Sequence, residues 1–159
     1  MPTDVTEFEN QQELRVGVSG PGGANRLFIM SGIAVVDFPP GAAAPSTTLG
    51  VPASEVFRFF LGPKLESKEF HRAVATASPS SVAMAHTLVW RIGRWLVPSG
   101  EPGEAYTLDS APGVDIARVD ADWDDKTKQV EVRIEVAVTD YWLKAISYHV
   151  DVLANLPND

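Results

Sequence analysis

Cysteine is absent from this chain of 159 residues, which excludes disulfides, thiolate nucleophiles and cysteine-ligated zinc. Positive charge is scarce: 13 Lys and Arg stand against 21 Asp and Glu, a net charge of -8 with His neutral. A balance of that sign repels phosphate backbones and anionic lipid, so neither nucleic acid nor a membrane is expected as partner. Long apolar runs are missing as well. None approaches the roughly 20 residues that a membrane-spanning helix needs, and the acidic start MPTDVTEFENQQE lacks the apolar stretch of a secretory signal. A cytoplasmic location is the expectation that follows.

What is present suffices for a core. Hydrophobic residues make up 45% and charged residues 21%, a composition that folds rather than one that stays disordered. The length is that of one domain. The organisation expected is a flexible polar arm over residues 1–12, a single α+β domain over 13–154 and a short tail over 155–159.

The C-terminal third carries the clearest pattern. Val130, Val132, Ile134, Val136 and Val138 alternate with Glu131, Arg133 and Glu135, the period of a strand with one buried face. Val119, Ala121 and Trp123 precede it in the same phase, and Ile146, Tyr148, Val150 and Val152 follow it. A three-stranded antiparallel meander is therefore expected. Pairing Trp123 with Val130 sets Asp120 opposite Arg133, Arg118 opposite Glu135 and Asp122 opposite Glu131. Pairing Val138 with Ile146 adds Arg133 opposite Asp151 and Glu135 opposite His149. Since a slip of one residue would bury every charge, the charges select the register.

Upstream, Leu14, Val16 and Val18 alternate with Arg15 and Gly17 as a short strand. Arg26 to Phe38 is mostly apolar and reads as a strand buried on both faces. Residues 39–54 hold four prolines and read as a long loop. In the middle, Val82, Ala85, Val89, Ile92 and Leu96 recur at helical spacing between Ser80 as N-cap and Pro98 as stop. SKEFHRAVATA, residues 67–77, reads as a shorter helix before it. The fold expected is thus α+β: an antiparallel sheet with helices from the middle segment on its apolar face. The runner-up is an all-β sandwich, in which residues 55–97 supply strands and the Val, Gly and Pro content fits.

No motif carries recognisable chemistry. DADWDDKTKQVE, residues 120–131, puts acids at the first, third, fifth and twelfth positions of an EF-hand loop, but Asp125 stands where that loop needs Gly. Its flanks also alternate as strands, where carboxylates two residues apart are about 6.6 Å apart along the chain. An acidic hairpin is the better reading, with Asp122, Asp124 and Glu131 left as candidates for a surface cation site. GVSGPGGAN has the glycines of a phosphate loop without its Lys or hydroxyl residue, so a glycine hairpin is expected instead. His71, His86 and His149 have no metal-ligand spacing, and Ser78, Ser80 and Ser81 no nucleophile elbow.

Two aromatic clusters remain. Trp90, Arg91, Arg94 and Trp95 combine rings with the densest local positive charge, the composition of an interface anchor. The alternative for the two tryptophans is the core side of a helix. Tyr141, Trp142 and Leu143 fall between the last two strands, where large apolar side chains either fold back or meet a partner. The function expected is a non-enzymatic protein–protein interaction or assembly module that self-associates as a homo-oligomer, without catalytic residues or cofactor. The alternatives are a small hydrolase or metal enzyme using residues such as His71, His86 and Asp37, and a binder of small apolar ligands between helices and sheet.

Overall fold

Strict alternation of apolar and polar side chains leaves the chain one stable arrangement: strands whose apolar faces meet across an oil layer. The computed structural model describes residues 2–20, 23–36, 53–84, 114–138 and 141–155, and its elements are all strands: β1 (Thr3–Asp4), β2 (Glu7–Gly20), β3 (Gly23–Val35), β4 (Ala53–Leu61), β5 (Phe70–Met84), β6 (Val114–Trp123), β7 (Val130–Val138) and β8 (Tyr141–Asn155). They form two four-stranded sheets. One, the β7 sheet, runs β1-β4-β7-β6; the other, the β8 sheet, runs β2-β3-β8-β5. Except for the parallel β1–β4 contact, every pairing is antiparallel.

The core lies between the sheets. Phe57, Phe59 and Leu61 of β4 and Val130, Val132, Ile134 and Val136 of β7 face Phe28, Met30 and Ala34 of β3 and Leu143, Ile146, Val150, Val152 and Ala154 of β8, all buried. Fully burying one such large side chain is worth about 1.5–3 kcal/mol. Phe8, Phe59 and Tyr148 form an aromatic triangle inside, with ring centroids 4.8–6.2 Å apart. On one flank β5 and β6 run close together. The inward residues there include Ala73, Ala75 and Ala77 on β5 and Ala121 on β6, and such small side chains let two strands approach.

The fold is therefore all-β among the described residues, not α+β. SKEFHRAVATA is a turn over residues 67–69 followed by the start of β5, in which Ala73, Ala75 and Ala77 point inward and Arg72, Val74 and Thr76 outward. Alanine favours helices, and its small volume conceals the period-2 signal. Residues 80–84 continue β5, so the helix placed from Ser80 loses its first turn; its remainder lies outside the described residues. The expected arm over residues 1–12 instead supplies β1 and the first part of β2, where Phe8 enters the core edge.

The meander is half right. β6 and β7 pair as expected, with Trp123 opposite Val130, Asp122 opposite Glu131, Asp120 opposite Arg133 and Arg118 opposite Glu135. Strand β8, however, does not join β7. It inserts between β3 and β5 in the other sheet, so the pairings of Val138 with Ile146, Arg133 with Asp151 and Glu135 with His149 do not occur. Tyr141, Trp142 and Leu143 begin β8 rather than filling a loop. The glycine hairpin is present: Gly20 pairs with Gly23 at the end of β2 and β3.

Candidate functional site

The two sheets present unlike outer faces. On the β7 sheet, one row across the strands reads Arg58–Arg133–Asp120, and its neighbours read Phe60–Glu131–Asp122 and Val56–Glu135–Arg118. Asp4 of β1 extends the first row, with Arg58 Nη2 2.7 Å from Asp4 Oδ1. Arg118 pairs with Asp120 at 2.6 Å and Arg133 with Glu131. This face is a charged mosaic open to water, and exposed pairs of this kind hold side chains in place more than they stabilise. A shallow open groove of about 430 Å³ runs over it, lined by Arg118, Asp120, Asp122, Trp123, Glu131 and Arg133.

The outer face of the β8 sheet is richer in apolar side chains, set among Asp151, Arg72 and His149. One row reads Leu14–Ile29–Asp151–Val74 from β2 to β5, and the next Val16–Leu27–Leu153–Arg72. Leu14, Val16 and Val74 are 56, 36 and 43% exposed, while Leu27, Ile29 and Leu153 are half-buried. Further rows carry hydroxyls and small groups, namely Ser31–His149–Thr76 and Ile33–Ser147–Ser78. Scattered exposed apolar residues are ordinary; here they stand near one another on four strands, with Asp151 between Ile29 and Val74.

Strand β2 is inverted with respect to its own core. Glu13 pairs with Met30 and Arg15 with Phe28, both buried inward. The charged residues of β2 therefore share the inner face, while Leu14 and Val16 share the outer one. Arg15 and Arg26 sit 5.4 and 5.8 Å from the Phe28 ring centroid, and Arg15 bonds Glu13 at 2.5 Å. Every residue from Glu9 to Gly17 is exposed. The apolar alternation of β2 thus serves no burial among the described residues.

The candidates read from sequence fall out as follows. Trp90, Arg91, Arg94, Trp95, His86 and Asp37 lie outside the described residues. Leu143 is fully buried in the core, so it is not a surface contact; Tyr141 and Trp142 precede it in β8. Asp122 and Glu131 stand directly opposite each other on the outer face. Asp124 does not join them. Its Oδ2 accepts bonds from Thr127 N at 2.7 Å and Thr127 Oγ1 at 2.8 Å, closing the β6–β7 turn. No group of three His, Asp or Glu poised for a metal occurs among the described residues. His71 bonds Asn155 at 2.7 Å and His149 bonds Asp151 at 3.1 Å, both exposed. An apolar ligand site between helices and sheet lacks its helices among the described residues. The apolar outer face was missed; its sequence signal is a two-sided apolar β3 beside a β2 whose Leu14 and Val16 flank a charge.

The β6–β7 turn is held by its own polar network. Trp123 Nε1 donates to Leu65 O at 2.9 Å, Leu65 N to Lys128 O at 2.8 Å, and Gln129 Nε2 to Gly62 O at 2.7 Å. The bonds from the Thr127 backbone and then its hydroxyl hold the Asp124 carboxyl below its ordinary value of 3.8. A carboxylate whose pKa is depressed by folding contributes stability above its unfolded value and loses it as pH falls through the folded one. Asp124→Asn is accordingly expected to flatten the acid limb of a Tm-against-pH curve below 3.8, and to lower Tm at neutral pH. Unchanged acid sensitivity would rule out this source.

Compared with known proteins, the chain matches no family model, no curated protein and no solved structure. Among the described residues no helix is long and apolar enough to cross a membrane.

Proposed function

We propose that this protein is a non-enzymatic, self-associating assembly module that acts in the cytoplasm and docks protein against the outer face of its β8 sheet. The observation that carries the reading is the contrast between the faces. Two sheets built from one chain enclose a common core, yet the outer rows of the β7 sheet are mostly charged, while the other outer surface gathers Leu14, Val16, Leu27, Ile29, Leu153 and Val74 around Asp151 and Arg72. Apolar side chains gathered on an outer face favour a surface that other protein covers. At the outer face, covering those side chains gains about 25 cal/mol for each Å² of apolar surface removed from water.

The test keeps clear of the core. Val74→Glu with Leu153→Glu places two carboxylates on the outer face, on strands β5 and β8. The expected result in sedimentation over a wide concentration range is loss of the largest assemblies formed by the wild type, with a modest fall in thermal stability, because the new carboxylate at position 74 stands opposite Asp151 and Leu153 is half-buried. A wild type that forms no species the double variant fails to form would defeat the reading.

A further inference from the structure

The geometry points to a second copy of this chain as the occupant of the β2 edge: two β2 strands pair antiparallel about a two-fold axis through Leu14, joining two β8 sheets into one of eight strands. The inference rests on the assembly reading above and names its first partner. Strand β2 is 14 residues long and forms one edge of its sheet, with no strand beyond it among the described residues. The other edge, β5, contains Pro79 and two register breaks around it, and it lies against β6. A proline and irregular pairing blunt an edge, so β2 is the edge fit to accept a strand.

The charges on β2 select the partner and the register. A lone inward-pointing charge on an edge strand repels an added strand. Here there are two of opposite sign, Glu13 and Arg15, placed symmetrically about Leu14 on one face. A two-fold centred on Leu14 sets Glu13 of each copy opposite Arg15 of the other, twice, and Leu14 against Leu14. Centring on Glu13 or on Arg15 would oppose like charges, and centring on Val16 would set Arg15 against Gly17 and Glu13 against Ser19. A centre between two residues would put inner and outer side chains on one face, which the pleat forbids. Opposite charges directly across a strand pair attract and like charges repel. Of these centres, only Leu14 satisfies both faces at once.

The ladder also has an end. Asn10 takes a φ of 50° and the β2–β3 register breaks between Glu9 and Gln12. Gln11, within that bulge, donates through Nε2 to Tyr148 Oη at 3.0 Å. Pairing about Leu14 therefore runs from Gln12 to Val16 in each copy and stops where Gly17 meets the bulge. The two-fold operation uses the same edge on both copies, so it closes at a dimer rather than propagating. It also brings the two apolar outer faces together at Leu14, giving one surface of twice the extent.

Charge reversal tests this in the full chain. Sedimentation of the wild type is expected to show a dimer. Glu13→Arg, which lies on an exposed strand, sets like charges opposite each other at two symmetric places and should weaken the dimer roughly tenfold; Arg15→Glu should do the same. The double reversal E13R/R15E exchanges the two signs and should restore wild-type association. That recovery is a readout a general folding defect cannot imitate. A wild type that stays monomeric, single reversals without effect, or a double reversal no better than either single would overturn the two-fold. The outer-face double variant keeps the two ideas apart. If V74E/L153E abolishes association while the reversals do nothing, the β2 pairing falls and the docking face stands. If the reversals behave as expected and V74E/L153E changes nothing, the pairing stands alone.

Discussion

Replacing Gly32 by alanine is expected to cost about 2–3 kcal/mol, an overpacking penalty in a filled core. Gly32 stands opposite Tyr148 in the β3–β8 register, and the phenol ring lies over its backbone. A Cβ there would come within 2.7 Å of Tyr148 Oη, 3.0 Å of Cζ and 3.2 Å of the Gln11 Cα. The ring has little room to yield. Tyr148 is 4% exposed, and Phe59 and Phe8 stand against it with centroids 4.8 and 6.2 Å away. Displacing it also breaks the bond from Gln11 at 3.0 Å, which ties the bulge of β2 to the core. Burial raises the Tyr148 phenol above its ordinary value near 10, in keeping with an oxygen that has one close partner and little water. Chemical denaturation should show the lower midpoint with an unchanged slope. In the Tyr148→Phe background the same glycine substitution should cost less, because the closest contact is gone. Equal costs in both backgrounds would mean that the ring is not the obstacle.

How much of this was legible beforehand depends on which forces are local. The β6–β7 hairpin could be read to the residue because its two strands are joined by a short turn, and Asp120, Arg133, Arg118 and Glu135 make sense in one register alone. The partner of β8 could not. Alternation says which side chains of β8 face oil, but the two sheets share one oil layer, so Ile146, Tyr148, Val150 and Val152 satisfy the pattern equally in either. The choice rests on pairing with β3 and β5, whose partner residues lie more than 50 positions upstream, and no short-range signal encodes it. β5 was hidden for a different reason: its inward residues are alanines, which carry little hydrophobic signal and favour helices. The outward turn of apolar side chains on β2 was legible in principle. Leu14 and Val16 showed an apolar stripe on β2, yet only the β2–β3 register, with Glu13 over Met30 and Arg15 over Phe28, reveals that the stripe faces outward.

The centre of the sandwich should be least forgiving at Phe59. Its side chain is 1% exposed, and its β4 position pairs with Val132 of β7, which is fully buried. It reaches across the oil layer to Phe8 at 5.6 Å, edge to face, and to Tyr148 at 4.8 Å. One ring therefore joins the β7 sheet to both β2 and β8. Phe59→Ala removes the buried ring and leaves a cavity that rigid strands on both sides cannot close, a loss of about 3–5 kcal/mol. Part of that loss is specific to the rings, since each aromatic pair adds about 0.5–1.5 kcal/mol beyond its buried area. Phe59→Leu keeps most of the volume and should cost clearly less. The effect should extend past stability. With Phe59 gone, Phe8 loses its nearest ring and the start of β2 its hold on the core, so amide exchange should quicken from Glu7 to Gln12 before it quickens in β7. An unfolding midpoint within experimental scatter of the wild type, or exchange that rises in β7 first, would show that the triangle does not anchor the edge on which the proposed dimer depends.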